Sequence, residues 1–311
     1  MNNYEIPSLL ELATKIVVQH LKDYSVSQID SVPVNIKDEI RVKSLRKQSN
    51  LSPKHLSALL HPKVHSLELS LIREFNADHV CVLQKVPKLV SLNSSKLRLE
   101  QCNSCDRVRL KINNVVDCCC KRISRQLRSS LMCLPCLVKL DLSYNPRIIE
   151  DSLILSVCET SPNLQQLELN GCCKITDKSI IHQAETEGSE KKIYSIRSGL
   201  VCLASLQSLG LSGTSITDQG LQDLSKYSKS SQTLTEIVLN KCDKITDEGI
   251  ECMLDTFNVM EIFSFAHCKN VSMKSVNKLS DYFERRRSEN LNEHTVNAQM
   301  NRMKQISFSI W

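Results

Sequence analysis

Fifteen cysteines in 311 residues are the first place to look for chemistry. Two pairs, Cys102-x-x-Cys105 and Cys133-x-x-Cys136, have the spacing from which four thiolates could complete a tetrahedral zinc site. The second pair, however, falls where a repeating helix turns back into a strand, which reads Cys133 as a core residue. The run Cys118-Cys119-Cys120 sits in an expected helix, where three consecutive residues cannot share one face. Metal binding by Cys102 and Cys105 stays open, but the reading favoured is a chain without metal or cofactor. Neither a Cys-His nor a Ser-His-Asp grouping can be assembled, and no Gly-rich loop could cradle a phosphate. The expectation is a protein that is not an enzyme.

Charge offers a second chemistry. Arg107, Arg109 and Lys111, then Lys121, Arg122, Arg125 and Arg128, then Arg285-Arg286-Arg287, could contact phosphates. No aromatic residues are interleaved with them for base stacking, and the net charge is only +6, so a solvated face is preferred over a nucleic-acid site. The N-terminus lacks a basic segment followed by an apolar one, and no apolar run approaches the ~18 residues of a membrane helix. The cysteines, odd in number and irregular in spacing, are therefore expected to be mostly reduced and buried, in the cytoplasm or nucleus.

The elements that would carry such residues repeat. Leu164-Gln-Gln-Leu167-Glu-Leu169-Asn-Gly-Cys172-Cys-Lys-Ile175-Thr-Asp177 recurs as Leu234-Thr-Glu-Ile237-Val-Leu239-Asn-Lys-Cys242-Asp-Lys-Ile245-Thr-Asp247, with a related copy from Leu206 between them. Weaker copies begin at Val64, Leu89, Leu137 and Met260, and Met303-Lys-Gln-Ile306-Ser-Phe308 reads as a last strand. The anchor leucines lie 25 to 28 residues apart, except for gaps of 48 after Leu92, 42 after Leu167 and 43 after Phe263. The excess is assigned to inserted loops near 97–107, 182–196 and 285–300; for the first, a register slip is the alternative, since Leu97-Arg-Leu99-Glu-Gln-Cys102 also fits the strand template. Leu-x-Leu alternation makes a short strand with its leucines inside. The ninth position (Asn145, Cys172, Thr214, Cys242, Cys268) turns the chain at a crowded corner, and each following Thr-Asp pair is an N-cap signal for a return helix. One such unit cannot bury its own apolar face, so the units must stack. With 41% hydrophobic residues but only 4% aromatics, the core must be Leu, Ile and Val. The expected fold is an α/β leucine-rich-repeat solenoid over residues 63–311, with parallel strands on a concave face, behind an N-terminal helical segment, 1–62.

A corner Cys followed by Ile-Thr-Asp resembles the cysteine-containing subtype of leucine-rich repeats common in F-box substrate receptors. Ser8-Leu-Leu-Glu-Leu12, Val32-Pro-Val-Asn-Ile-Lys-Asp38, Leu60-His-Pro62 and the closing Lys304-Gln305-Ile306 extend the resemblance to the homologues of the antagonist of the mitotic exit network. The chain departs from them at the insertions, at a first repeat without the corner Cys, and at Val271-Ser272-Met273. The resemblance implies a substrate receptor of a ubiquitin ligase, or a regulator of mitotic exit.

Within residues 1–62, Leu9, Ala13 and Val17 recur at i, i+4 and i+8, giving a helix over 8–22 an apolar stripe. Ser8-Leu9-x-x-x-Ala13-x-x-x-Val17 resembles the elongin-binding box of cullin-ligase receptors, with Ala13 where Cys is usual. Val32-Pro33-x-x-Ile36-x-x-x-Ile40 resembles the short cullin box. The resemblance implies an adaptor-binding segment made of Leu9, Ala13, Val17, Val32, Pro33, Ile36 and Ile40. The alternative is that helices 8–22 and 35–47 merely cap the first repeat.

Aligning the copies places Glu68, Asn93, Asp141, Glu168, Gly210, Val238 and Ser264 in one file on the concave face. Ser66, Ser91, Lys139, Gln166, Ser208, Glu236 and Ile262 form the next. Glu68, Asp141 and Glu168 would then line up on strands ~4.8 Å apart, where like charges cost stability. The expected partner is a protein whose basic segment meets these carboxylates and whose hydrophobic anchor enters the smaller, more apolar C-terminal half, where Glu236, Val238 and Ile262 lie. The favoured function is the substrate-recognition subunit of a cullin–RING ubiquitin ligase in cell-cycle control. A non-catalytic scaffold or stoichiometric inhibitor is the alternative.

Overall fold

The computed structural model describes residues 8–47, 51–72, 74–97, 119–186 and 193–289. The chain forms two compact units, Met1–Cys136 and Leu137–Trp311. Within the first unit, the N-terminal helices pack on the first repeat. The Arg41 guanidinium donates to the Ser66 carbonyl at 3.0 Å, and His79 Nε2 lies 2.8 Å from the Leu51 carbonyl oxygen.

The first unit opens with α1 (Leu9–Gln19), started by a capping box in which Ser8 and Glu11 satisfy each other's backbone N–H groups. Short α2 (Val26–Asp30) and α4 (Pro53–Leu59) flank α3 (Val34–Arg46), whose N-cap is Pro33. Strands β1 (Ser66–Glu68) and β2 (Ser91–Asn93) pair in parallel, Leu67 against Leu92, with α5 (Ala77–Cys81) between them in sequence. Helix α6 (Cys119–Leu131) closes the unit and buries Ile123, Leu127 and Leu131.

The second unit is a parallel sheet of β3 (Lys139–Asp141), β4 (Gln166–Glu168), β7 (Ser208–Gly210), β8 (Glu236–Val238) and β9 (Ile262–Ser264). Its register pairs Leu140 with Leu167, Leu167 with Leu209, Leu209 with Ile237, and Ile237 with Phe263. These are the anchors that the spacing of leucines selects. Return helices α7 (Asp151–Thr160), α8 (Asp177–Ile180), α9 (Asp218–Tyr227), α10 (Asp247–Thr256) and α11 (Met273–Glu289) follow the strands. The anchor and corner positions are almost wholly buried, from Leu140 to Met260, which removes apolar surface from water at roughly 25 cal/mol per Å².

Each corner residue donates a hydrogen bond to a carbonyl. Cys172 Sγ reaches Leu142 O at 3.4 Å, Cys242 Sγ reaches Leu211 O at 3.2 Å, and Cys268 Sγ reaches Leu239 O at 3.1 Å. Asn145 Nδ2 and Thr214 Oγ1 take the same role toward Leu142 O and Leu211 O. The Thr-Asp pairs cap as expected: Thr176, Thr217 and Thr246 each accept from the backbone N–H two residues on.

Two inserted segments differ from the loops expected. Residues His182–Thr186 (β5) and Ile193–Ser198 (β6) form an antiparallel pair outside the parallel sheet, which leaves β4 and β7 as direct neighbours. Gly199 ends β6 with φ +125°, where a Cβ would stand 2.4 Å from the Ile180 carbonyl oxygen. Near 285, helix α11 continues to Glu289. The insertion at 97–107, from residue 98 on, and the strand expected at 303–308 lie outside the described residues, as do Cys102 and Cys105. Cys133 is exposed, a correction to its expected place in the core: Leu134 takes the inward position at the end of α6, leaving Cys133 and Cys136 outside. Cys81 and Cys173 are exposed as well, so burial is confined to part of the cysteines, the corner thiols above all. No helix among the described residues is long and apolar enough to cross a membrane.

Candidate protein-docking surfaces

Two surfaces carry side chains that the fold leaves available. The first is helix α1. Its contact with the rest of the unit runs through Thr14 and Val18, which are buried, and it packs against α3. Thr14 can be buried because its hydroxyl donates to the Leu10 carbonyl at 2.7 Å. The leucines point the other way: Leu9 is 85% exposed, Leu12 44% and Ile16 55%. With Ala13, also exposed, they fall at i, i+3, i+4 and i+7 and form one continuous apolar side. Of the stripe expected from sequence, Leu9 and Ala13 lie on this side and Val17 is half-buried at its margin. Leu12 and Ile16 were missed, although their i+3 and i+7 spacing from Leu9 is the signal that finds them.

The second expected box does not stay together. Pro33 is exposed, Val32 and Ile36 are half-buried, and Ile40 is 2% exposed. Ile40 belongs to the core of the first unit and cannot meet a partner, which corrects its placement among the docking residues. Helix α3 instead turns one side into the first unit. Its buried face holds Ile40, Leu45, Arg41 and Lys37, and Arg41 covers the Ser66 carbonyl of β1 while pairing with Asp38 at 2.7 Å. His61 Nε2 stands 3.1 Å from the same carboxylate. Burial works to raise the Asp38 pKa, but the hydrogen bonds and charges of Arg41 and His61 outweigh it and hold the carboxyl below the usual range.

The second surface is the open face of the parallel sheet. In the first unit, Glu68 is exposed and stands opposite Asn93. In the second unit the register sets Asp141 beside Glu168, then Gly210, Val238 and Ser264. Glu168 is held rather than free. Asn170 Nδ2 donates to its Oε2 at 2.8 Å, and Ser208 Oγ lies 3.5 Å from its Oε1 and 3.0 Å from Glu236 Oε2. Gly210 makes this possible, since a Cβ there would stand 1.8 Å from Glu168 Oε2. The acidic group is therefore Asp141, Glu168 and Glu236, with the Ser208 hydroxyl of β7 between the last two. Burial raises the Glu168 pKa, the charges of Asp141 and Glu236 raise it further, and the hydrogen bonds from Asn170 and Ser208 offset only part. Val238 and Ile262 are half-buried on the same face, with Ile262 opposite Glu236. A face of this kind suits a cationic side chain with an aliphatic stem.

The corner thiols are poorly suited to chemistry. Burial pushes Cys172 and Cys268 up to about 11 and also raises Cys242, so little thiolate exists near neutrality. Among the described residues, no group of three or more His, Cys, Asp or Glu is placed to hold a metal ion.

Comparison with known proteins agrees with the repeat geometry. The family model described as the At1g61320/AtMIF1 LRR domain matches residues 193–310, and the one described as Leucine Rich repeat matches residues 160–181. Antagonist of mitotic exit network protein 1 of Candida glabrata is 28% identical over 142 residues, covering 40% of this chain and 26% of that protein. The protein of the same name from Eremothecium gossypii is 25% identical over 142 residues, covering 40% of this chain and 36% of that protein. The chain thus spans about a quarter to a third of the length of these curated relatives. A solved structure of the yeast Rad7 and Elc1 complex aligns with 88% of this chain and 85% of its own at 16% identity and a TM-score of 0.39. That likeness is too low to carry weight. By its repeats, its parallel sheet and its family matches, the chain is a leucine-rich-repeat solenoid, similar in sequence to the antagonist of mitotic exit network proteins.

Proposed function

We propose that this protein recruits a protein substrate to a cullin–RING ubiquitin ligase, docking the ligase adaptor through α1 and the substrate on the open face of the sheet. One observation carries the reading: α1 presents Leu9, Leu12, Ala13 and Ile16 to solvent while a different helix, α3, covers the Ser66 carbonyl of the first strand. A helix whose only task were capping would turn its leucines inward; leaving them outside costs solubility unless a partner covers them. The curated relatives are named for antagonising the mitotic exit network, and that name supports reading such recruitment as part of cell-cycle control. In this role the chain performs no bond chemistry and contributes proximity.

The substrate side is read from Asp141, Glu168 and Glu236, which would receive a Lys or Arg of the substrate, with Val238 and Ile262 against its aliphatic part. Glu68 would extend the same preference in the first unit. The test is affinity purification from cells of the tagged wild type beside a Leu9→Asp, Ile16→Asp double variant. A cullin and its adaptor should accompany the wild type and be lost from the variant, while both remain folded by circular dichroism. Absence of a cullin from the wild type would overturn the ligase reading.

A further inference from the structure

Beside the apolar side of α1 runs a groove between α1 and α3. Leu12 and Val18 form its apolar lining, and Lys15, Lys43, Arg46 and Lys47 stand along it. Glu11, the carboxylate that lines it, is engaged by the Ser8 backbone N–H at 2.8 Å as part of the capping box. Lys43 is paired with Glu39. Lys15, Arg46 and Lys47 are exposed, and among the described residues none of them forms an ion pair. The groove therefore joins an aliphatic wall to a rim on which cations outnumber the single carboxylate of Glu11 among the described residues, directly beside Leu9 and Ile16 on α1.

From this charge pattern we infer that the groove docks an acidic amphipathic helix of the protein partner, and the inference rests on reading α1 as a docking helix. The partner's aliphatic side chains would enter between Leu12 and Val18, and its carboxylates would meet Lys15, Arg46 and Lys47. Such rim charges chiefly set on-rate and discrimination between partners. They would reject a basic helix of equal hydrophobicity. A nucleic acid is disfavoured because, among the described residues, no aromatic side chain lines the groove for stacking. A membrane surface is disfavoured because the cations stand across a cleft, on two helices, and not around one planar apolar face.

The experiment titrates the purified full chain with a synthetic amphipathic helix bearing Leu on one face and Glu on the other, and with its Lys counterpart. The Glu peptide should bind, weaken with added salt, and lose about ten-fold in affinity to a Lys15→Glu, Arg46→Glu, Lys47→Glu variant. These side chains are exposed, so the variant should keep the wild-type circular dichroism spectrum. Equal binding of the Lys peptide, or no effect of the charge reversal or of salt, would overturn the inference. So would phosphatidylserine vesicles or a single-stranded RNA binding with that same loss in the variant while the Glu peptide does not bind. A cullin recovered from cells without any binding of the Glu peptide would remove the groove and leave the ligase reading standing. Peptide binding without a cullin would keep the groove and remove the ligase.

Discussion

Asp177 receives both the backbone N–H of Thr217, at 2.9 Å, and its hydroxyl, at 2.6 Å. The same clamp joins Asp151 to Thr176, Asp218 to Thr246 and Asp247 to Ser272. Each Asp thus opens its own helix and holds the N-cap of the helix that follows, so a local capping signal also sets the stacking of repeats. Asp218→Ala would leave a part-buried N–H and hydroxyl unpaired. It should cost about 1–3 kcal/mol, read as a lower midpoint in urea at unchanged slope. A cost below the error of the fit would show that the clamp is incidental.

Glu168 offers a pH signature of the acidic group. Its folded pKa is raised, so its protonated form favours the native state, and that contribution is lost as pH rises through the folded value. Glu168→Gln should match the wild type below the ordinary Glu range of about 4.3 and exceed it at pH 7, by about 0.5 kcal/mol. Melting temperatures at the two pH values decide it. Asp38 and Asp247 run oppositely: both are held below the usual range, and their contribution disappears as pH falls through their folded values.

The thiols should divide by place in the fold. Iodoacetamide at pH 7.5 should label Cys81, Cys133, Cys136 and Cys173, which are exposed, and leave Cys172, Cys242 and Cys268 unmodified until the chain unfolds. Mass spectrometry of the digested protein would read this directly. Early labelling at Cys242 would contradict a structural role for the corner.

Gly199→Ala places a Cβ against backbone at a φ that L-residues rarely adopt. The expected loss is about 2 kcal/mol, well above the usual surface substitution. Denaturation of the variant beside the wild type checks it.

The solenoid was legible because its signal is periodic. Leu140, Leu167, Leu209, Ile237 and Phe263 pair in the register that their spacing selects, and the 42-residue gap resolves into β5 and β6 without disturbing it. What was not legible depends on contacts that spacing does not encode. Ile40 looked like a docking residue because helix-spaced apolar residues serve caps and interfaces alike. Only its burial, beside the approach of Arg41 to Ser66, shows that Ile40 faces into the first unit. The clamp from Asp177 to Thr217 spans 40 residues, and the acidic group gains Glu236 only through Ser208.

On the open sheet face, Asp141→Lys and Glu168→Lys, each made singly, should weaken substrate binding in co-purification while the chain stays folded. Both positions are half-buried at the open face; a cation introduced at 141 would stand beside Glu168, and one introduced at 168 between Asp141 and Glu236. Unchanged recovery of bound proteins would discard the cationic-substrate reading.

The most direct measurement mixes the purified chain with a purified cullin-ligase adaptor, of the elongin type and of the F-box-binding type in turn, and follows mass by light scattering. The account predicts a stoichiometric complex with one of them, abolished by Leu9→Asp, Ile16→Asp and preserved by Asp141→Lys. No complex with either adaptor, or a complex that survives the α1 substitutions, would contradict it.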